Sequence, residues 1–143
     1  MNDYPNRPLI GVGVIVFKDD RVLLIRRGKP PREGQWSLPG GRQRLGEPVA
    51  ATAKREVAEE AGIEIEVGGL VDVVDSITRD DAGAVQYHYT LVDVMAEWRA
   101  GEAVAGHDAA EVAWADPADL APYDLWQETR RVIALAVEKR RRG

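Results

Sequence analysis

Residues 41–63 read GRQRLGEPVAATAKREVAEEAGI, and this stretch predicts a helix that carries an uneven distribution of charge. Pro48 suits the first turn of a helix because its missing N–H would have no partner there. Gly62 is the kind of residue that takes a left-handed conformation after a helix ends. We therefore predict a helix over residues 48–61. Its sheet-facing side is predicted from small and apolar residues at three- and four-residue spacing: Ala50, Ala53, Val57 and Ala61.

Three acidic residues, Glu56, Glu59 and Glu60, occupy positions i, i+3 and i+4 of this helix. That spacing places their carboxylates on one flank, where like charges destabilise a helix by about 0.2–0.5 kcal/mol. One interpretation is a solvated acidic face. The other is a site for a hard divalent cation, which takes several oxygen ligands and often binds together with phosphates.

The same stretch resembles a known motif, the Nudix box, G-x5-E-x7-R-E-U-x-E-E-x-G-U, in which U is aliphatic. Every specified position matches, with a chance probability of about one in a million from background residue frequencies. The matching residues are Gly41, Glu47, Arg55, Glu56, Val57, Glu59, Glu60, Gly62 and Ile63. The chain is thus identified as a member of the Nudix hydrolase family. The resemblance implies an α/β protein with the Nudix fold, an α/β/α sandwich with a mixed β-sheet between helices.

Composition limits the remaining possibilities. The 143 residues suit one domain, residues 1–143. Lys and Arg number 19 against 24 Asp and Glu, so the net charge of −5 gives no general attraction to nucleic acid. The absence of cysteine excludes disulfides, thiolate zinc sites and a cysteine nucleophile. No run of ~20 apolar residues and no signal-peptide pattern occur, so we expect a cytoplasmic protein that does not bind membranes.

The residues around the box predict strands before and after the first helix, and a second helix at the end of the chain. Residues 9–17 are apolar on both alternating faces, as in a central strand covered on both sides. A loop is predicted over residues 99–110 and a helix from Tyr123 to Arg142. Further strands are predicted over residues 21–27, 36–38, 63–67, 70–77, 85–98 and 112–115. This order favours a mixed sheet between helices.

The resemblance implies a metal-dependent hydrolase. Splitting a diphosphate in water requires neutralised phosphate charge and an activated water, and divalent metals supply both. The implied cofactor is Mg²⁺ or Mn²⁺. Its implied ligands are Glu56, Glu59, Glu60 and the carbonyl of Gly40. By the same resemblance, Glu47 and Arg55 pair with each other and support the loop against the helix.

The identity of the residue that removes a proton from water is left open. In the family this carboxylate belongs either to the box helix, where Glu56 and Glu59 are candidates, or to the loop before the last strand. Here that loop region offers Glu102, Asp108 and Glu111. The alternative for each of these three is an exposed loop acid.

Substrate contacts are predicted from basic and aromatic residues. Arg27 ends the second predicted strand where relatives often place a phosphate-contacting arginine, and its alternative role is a surface ion pair. Lys29 and Arg32, in the loop that follows, contact either phosphate or solvent. Tyr87 and Tyr89 share one face of a long strand and either stack on a base or pack as ordinary sheet residues.

The stretch from Tyr87 to Asp93 is similar to bacterial members described as ADP-ribose pyrophosphatase-like. This implies a nucleotide substrate, ADP-ribose or a nucleotide sugar, cleaved to a nucleoside monophosphate and a sugar phosphate. The alternative is a pyrophosphatase that releases pyrophosphate from a nucleoside triphosphate, oxidised dNTPs included. A non-catalytic nucleotide sensor is a third possibility. Family members are often homodimers, so a homodimer is an open expectation.

Overall fold

A computed structural model describes residues 3–30 and 32–143 of the chain. The described residues form seven strands and two helices, with a short 3₁₀ turn at Ala121–Tyr123 before the second helix. In chain order they are β1 (Leu9–Lys18), β2 (Arg21–Arg27), β3 (Trp36–Ser37), β4 (Gly40–Arg42), α1 (Val49–Ala61), β5 (Glu64–Arg79), β6 (Val85–Ala100), β7 (Ala109–Ala115) and α2 (Gln127–Arg142). None of the helices in these two ranges is long and apolar enough to cross a membrane.

The strands form a mixed sheet with the order β3-β2-β1-β6-β5, which confirms the predicted sheet type. Strands β1 and β6 pair in parallel, and the other pairings are antiparallel. Strand β1 changes partner along its length: its last residues pair with β2, whereas Gly11–Gly13 pair with β4. Strand β7 pairs with β2. The backbone of β4 therefore lies beside the middle of the central strand.

The two helices cover opposite faces of the sheet, as the predicted α/β/α sandwich requires. Val12, Val14 and Val16 of β1 pack in one core cluster with the buried residues of α1. Ile15 and Phe17, which point to the other face, pack in a second cluster with α2. Alternation along a single strand thus supplies both cores.

The first helix agrees with its predicted bounds but differs in its buried face. It begins at Val49 after Pro48 and ends before Gly62, which has a left-handed φ of 71°. Ala50 is exposed, contrary to the prediction, and Thr52 is fully buried in its place. Burial of this hydroxyl costs little because it donates to Glu47 Oε1 at 2.7 Å.

Three predictions of secondary structure were wrong. The last helix begins at Gln127 rather than Tyr123, because Asp124 takes a left-handed φ of 47° that a continuous helix does not allow. The loop predicted over residues 99–110 is shorter, since β6 continues to Ala100 and β7 begins at Ala109. Strand β4 was missed because its Gly-Gly sequence is typical of a turn.

Candidate active site

The loop before α1 is fastened to the helix by Arg55. Its Nε lies 2.7 Å from Glu47 Oε2, and its Nη2 lies 3.0 Å from Glu47 Oε1, so the pair is bidentate. Nη2 also donates to the carbonyl of Arg42 at 3.0 Å. Hydrogen bonds from Arg55 and then from Thr52 lower the pKa of Glu47 to about 2. The structure thus places Glu47 and Arg55 where they hold the loop over the first turns of α1.

The acidic flank of α1, defined here as Glu56, Glu59 and Glu60, lies against the glycines of β4. Glu60 Oε1 accepts a hydrogen bond from the Gly40 N–H at 2.8 Å. A Cβ at Gly41 would lie 2.3 Å from the Glu56 carboxylate, so only glycine permits this close approach. Two of the three predicted acids therefore touch the backbone of Gly40 and Gly41.

Nearby cations do not offset the burial of the flank's carboxylates, although Arg44 Nη2 lies 4.0 Å from Glu59 Oε1 and Arg27 lowers the pKa of Glu60. Arg55 Nη1 reaches Glu56 at 2.9 Å and Glu59 at 3.4 Å, while its other nitrogens bond to Glu47. Burial raises the pKa of Glu60 to about 8, against the opposing effect of the Gly40 N–H. Burial also raises the pKa of Glu56, although the bond from Arg55 acts in the opposite direction. The two carboxylates lack sufficient compensating charge where they are buried.

The oxygen atoms of the acidic flank and of the neighbouring backbone are of the type that binds a hard divalent cation. It consists of carboxylate oxygens beside an accessible backbone strand, which are the ligands that Mg²⁺ and Mn²⁺ prefer. A cation here would offset the burial of Glu56 and Glu60. Over residues 3–30 and 32–143, no three His, Asp or Glu side chains stand in a metal-holding arrangement, and Arg55 engages Glu56 and Glu59.

The loop acids and basic residues predicted from the sequence fall in different places. Asp108 raises the pKa of Glu60 and Arg27 lowers it, so both lie within electrostatic reach of the acidic flank. Lys29 forms an ion pair with Asp108 at 3.0 Å, which lowers the pKa of Asp108. In contrast, Glu111 pairs with Arg26 at 2.8 Å.

Glu102 lies exposed on the connection between β6 and β7. The three predicted loop acids therefore have different surroundings. Of these, Asp108 is the one whose charge acts on Glu60.

A cavity of about 450 Å³ opens on the other side of β4, on the sheet face that α2 covers. Its volume lies in the range of small-molecule sites. Arg27, Arg32 and Tyr87 line it, together with Tyr89, whereas Lys29 does not. Its other wall residues are Gly11, Val12, Gly13, Gln35, Ser37, Leu38, Pro39, Gly40, Gly41, Arg42, Val74, Ser76, Leu91, Asp93, Trp126, Glu128 and Thr129. Strand β4 thus separates the acidic flank from a pocket that contains four of the predicted substrate-facing residues.

Sequence reasoning missed the wall that α2 contributes and the role of Asp93 in lining the cavity. Trp126, Glu128 and Thr129, at the start of α2 and just before it, reach the cavity only through the tertiary fold, and no local pattern shows this. Asp93 had a visible signal: it is an acid between Val92 and Val94 in a strand predicted to be long. A charged residue in such a setting is uncommon unless it is paired or functional.

Comparison with known proteins agrees with this geometry. The NUDIX domain family model matches residues 7–136. The chain belongs to the Nudix hydrolase family and has the Nudix fold. Members of this family generally use a divalent metal and bind nucleotide substrates.

Three relatives illustrate the similarity. An ADP-ribose pyrophosphatase from Methanocaldococcus jannaschii is 38% identical over 76% of this chain, and the match spans 62% of that protein's length. The structure of a MutT Nudix hydrolase from Burkholderia pseudomallei superposes with a TM-score of 0.79 at 32% identity, covering 91% of this chain and 98% of that one. An ADP-ribose pyrophosphatase structure from Streptococcus suis gives a TM-score of 0.74 at 26% identity, covering 94% and 93%.

Proposed function

We propose that this chain hydrolyses the diphosphate of ADP-ribose, or of a related nucleotide sugar, to a nucleoside monophosphate and a sugar phosphate. The observation that carries the proposal is the position of strand β4. Its glycines contact Glu56 and Glu60 on one side and line the 450 Å³ cavity on the other. A substrate in the cavity would have its diphosphate beside the acidic flank. The similarity to two proteins described as ADP-ribose pyrophosphatases supports this choice of substrate.

In this proposal Glu56, Glu59, Glu60 and the Gly40 carbonyl hold Mg²⁺ or Mn²⁺. The bound metal would neutralise phosphate charge and lower the pKa of a water molecule. Gly41 has no side chain, so the substrate and the Glu56 carboxylate can approach the same stretch of backbone from its two sides. Arg55 and Glu47 keep the loop and helix in register, which fixes the positions of the carboxylates.

Arg27 contributes positive charge on the cavity side, where it contacts the diphosphate in this proposal. Arg32 also lines the cavity, and its Nη2 donates to Thr78 Oγ1 at 3.4 Å. Lys29, which pairs with Asp108, is further from the substrate and acts through that acid. Tyr87 presents its ring to the base or to the terminal sugar.

Water adds to one phosphorus, the P–O bond to the other phosphate breaks, and the proton of the water passes to a carboxylate. We assign that carboxylate to Glu59, which lies on the acidic flank and has a side chain that is 30% exposed. Asp108 is the alternative base because its charge reaches Glu60. Asp108 and Glu111 are both held in ion pairs, and Glu111 ranks second because the charge of Asp108 acts on Glu60. A comparison of kcat for Glu59→Gln, Asp108→Asn and Glu111→Gln separates the three.

The substrate assignment is tested with purified protein, Mg²⁺ or Mn²⁺, and a panel of ADP-ribose, UDP-glucose, dGTP and 8-oxo-dGTP. The expected result is AMP and ribose 5-phosphate from ADP-ribose, with slower release of pyrophosphate from the triphosphates. Pyrophosphate release from dGTP or 8-oxo-dGTP without turnover of ADP-ribose would establish the triphosphate pyrophosphatase instead. Nucleotide binding with no turnover of any compound would indicate a sensor.

A further inference from the structure

Asp93 is a buried acid for which the proposed hydrolysis provides no role. It lies in the middle of β6, is 5% exposed and lines the cavity. Buried carboxylates are normally paired or hydrogen-bonded, because burial without a partner is costly. The groups around the Asp93 carboxylate therefore indicate which part of a ligand it binds.

The Asp93 carboxylate has no hydrogen bond or ion pair with any residue in the described ranges 3–30 and 32–143. Its neighbour across the strands, Asp72, is in contrast fully engaged: it pairs with Arg131 at 2.8 Å and accepts the N–H of Val73. Arg131 also bonds to Glu128. In these ranges, every side-chain oxygen that is fully buried has a hydrogen-bond partner. Since the oxygens of Asp93 have no partner, they are not fully buried and are open to the cavity.

The position of Asp93 is fixed by a glycine on the neighbouring strand. A Cβ at Gly13 would lie 2.2 Å from Asp93 Oδ1, so the carboxylate occupies the space that a side chain at Gly13 would fill. Gly13 pairs with Asp93 on one side and with Gly40 on the other. Asp93 therefore lies two strand spacings, about 10 Å, from the strand beside the acidic flank. This is comparable to the reach of a nucleotide from its diphosphate to its base.

The walls around Asp93 suit a flat group with a polar edge. Leu38 lines the cavity near Gly13, Leu91 lines it near Gly11, and Val74 adds a third apolar side chain. A nucleobase offers apolar faces to such walls and hydrogen-bonding groups along its rim. A carboxylate accepts hydrogen bonds and donates none when it is ionised. In adenine, the base of ADP-ribose, the exocyclic amine is the N–H donor that matches it, whereas guanine carries a ring N–H beside its amine.

We propose that Asp93 is a specificity-determining residue that accepts a hydrogen bond from the exocyclic amino group of the substrate's nucleobase. This inference rests on the proposed function, since it assumes that the cavity holds a nucleotide. It places the base beside Asp93 and leaves Tyr87 and Tyr89 for the terminal sugar. The amine belongs either to adenine, at its 6-position, or to guanine, at its 2-position.

Two pairs of nucleotides distinguish the amine of adenine from the amine of guanine, because the members of each pair differ in whether that amino group is present. ADP-ribose and inosine diphosphate ribose test the 6-amino group of adenine, and dGTP and dITP test the 2-amino group of guanine. Binding is measured by calorimetry at pH 8 with Ca²⁺ in place of Mg²⁺, so that the readout is independent of turnover. Burial, with a smaller effect from Asp72, raises the pKa of Asp93 to about 6, so this carboxylate is ionised at pH 8.

The expected result is that the unchanged protein binds the amino-bearing member of one pair about 10- to 100-fold more tightly, because the analogue leaves a buried acceptor unpaired. In Asp93→Asn this preference should fall below threefold, since asparagine presents a donor as well as an acceptor. Asp72→Asn is the matched control: it removes an acid from the paired strand position outside the cavity and should keep the preference. Melting temperatures of both variants report whether the fold is intact.

Equal affinity for both members of each pair in the unchanged protein would overturn the inference, whatever the variants do. An amino preference that survives in folded Asp93→Asn would overturn it as well, and so would failure of all four nucleotides to bind. Binding with the expected preference but without hydrolysis in Mg²⁺ or Mn²⁺ would instead contradict only the proposed function.

Discussion

The acidic flank of α1 and the cavity under α2 lie on opposite sides of strand β4 and are built in different ways. The flank is dense in charge, with Glu56, Glu59 and Glu60 beside Arg55. The cavity combines apolar and aromatic side chains with arginines such as Arg27 and Arg32, and over residues 3–30 and 32–143 its buried acid Asp93 has no hydrogen-bond or ion-pair partner. In our account the flank determines the reaction and the cavity determines the substrate. Changes on the two sides should therefore affect different kinetic constants.

The largest effect is expected from Glu60→Gln. Loss of this carboxylate removes a proposed metal ligand that stabilises charge in the transition state, so kcat should fall about 1000-fold. Nucleotide affinity should change much less, because the cavity is untouched. Glu138→Gln, which removes an exposed acid paired with Arg142, is the matched control and should keep full activity. Unchanged turnover in folded Glu60→Gln would remove Glu60 from the metal site.

Gly41→Ala should produce the next largest effect through contact with Glu56. The added methyl group would overlap the Glu56 carboxylate, and that flexible side chain can move away, so the fold should persist. A displaced catalytic group typically costs about 100-fold in rate. We expect kcat to fall by about this factor with little change in melting temperature. The comparison is Gly69→Ala, where a Cβ meets nothing within 4 Å and activity should be retained.

The acidic flank was predictable from the sequence, whereas most of the cavity was not. The acidic flank and the Glu47–Arg55 pair lie within one local stretch, where helical spacing and the resemblance predict which residues are neighbours. The cavity depends on pairings between residues far apart in the chain, such as Gly13 with Asp93, and on where the start of α2 packs. Such long-range contacts leave no local periodicity. Asp93 was visible only as an acid among valines.

Tyr87→Leu should affect the cavity side alone. Loss of one aromatic face that contacts the substrate weakens binding, so KM for ADP-ribose should rise about 10-fold while kcat stays within about twofold. This outcome is the reverse of that expected for Glu60→Gln, and steady-state kinetics on both variants separates the two regions. A Tyr87 variant that lowers kcat with unchanged KM would contradict the division.

Glu47→Gln should have its main effect on stability and on its dependence on pH. Arg55 holds the pKa of Glu47 at about 2, below its ordinary value of 4.5, so ionised Glu47 stabilises the fold above pH 4.5. This contribution is lost as the pH falls from about 4.5 to 2. The variant should melt about 5 °C lower at pH 7, and the difference should shrink toward pH 2. Thermal unfolding at several pH values measures it, and an equal difference at pH 7 and pH 2 would argue against the ion pair as its cause.

The central claim is that the acidic flank holds a divalent metal beside the Gly40–Gly41 backbone. The most direct measurement is anomalous diffraction from crystals grown with Mn²⁺ and a non-hydrolysable ADP-ribose analogue. The account predicts an Mn²⁺ peak within about 2.3 Å of carboxylate oxygens of Glu56 and Glu60, with the analogue's diphosphate beside it and its base in the cavity. Bound analogue with no metal peak on these residues, or with the metal held only by Asp108 or Glu111, would contradict it.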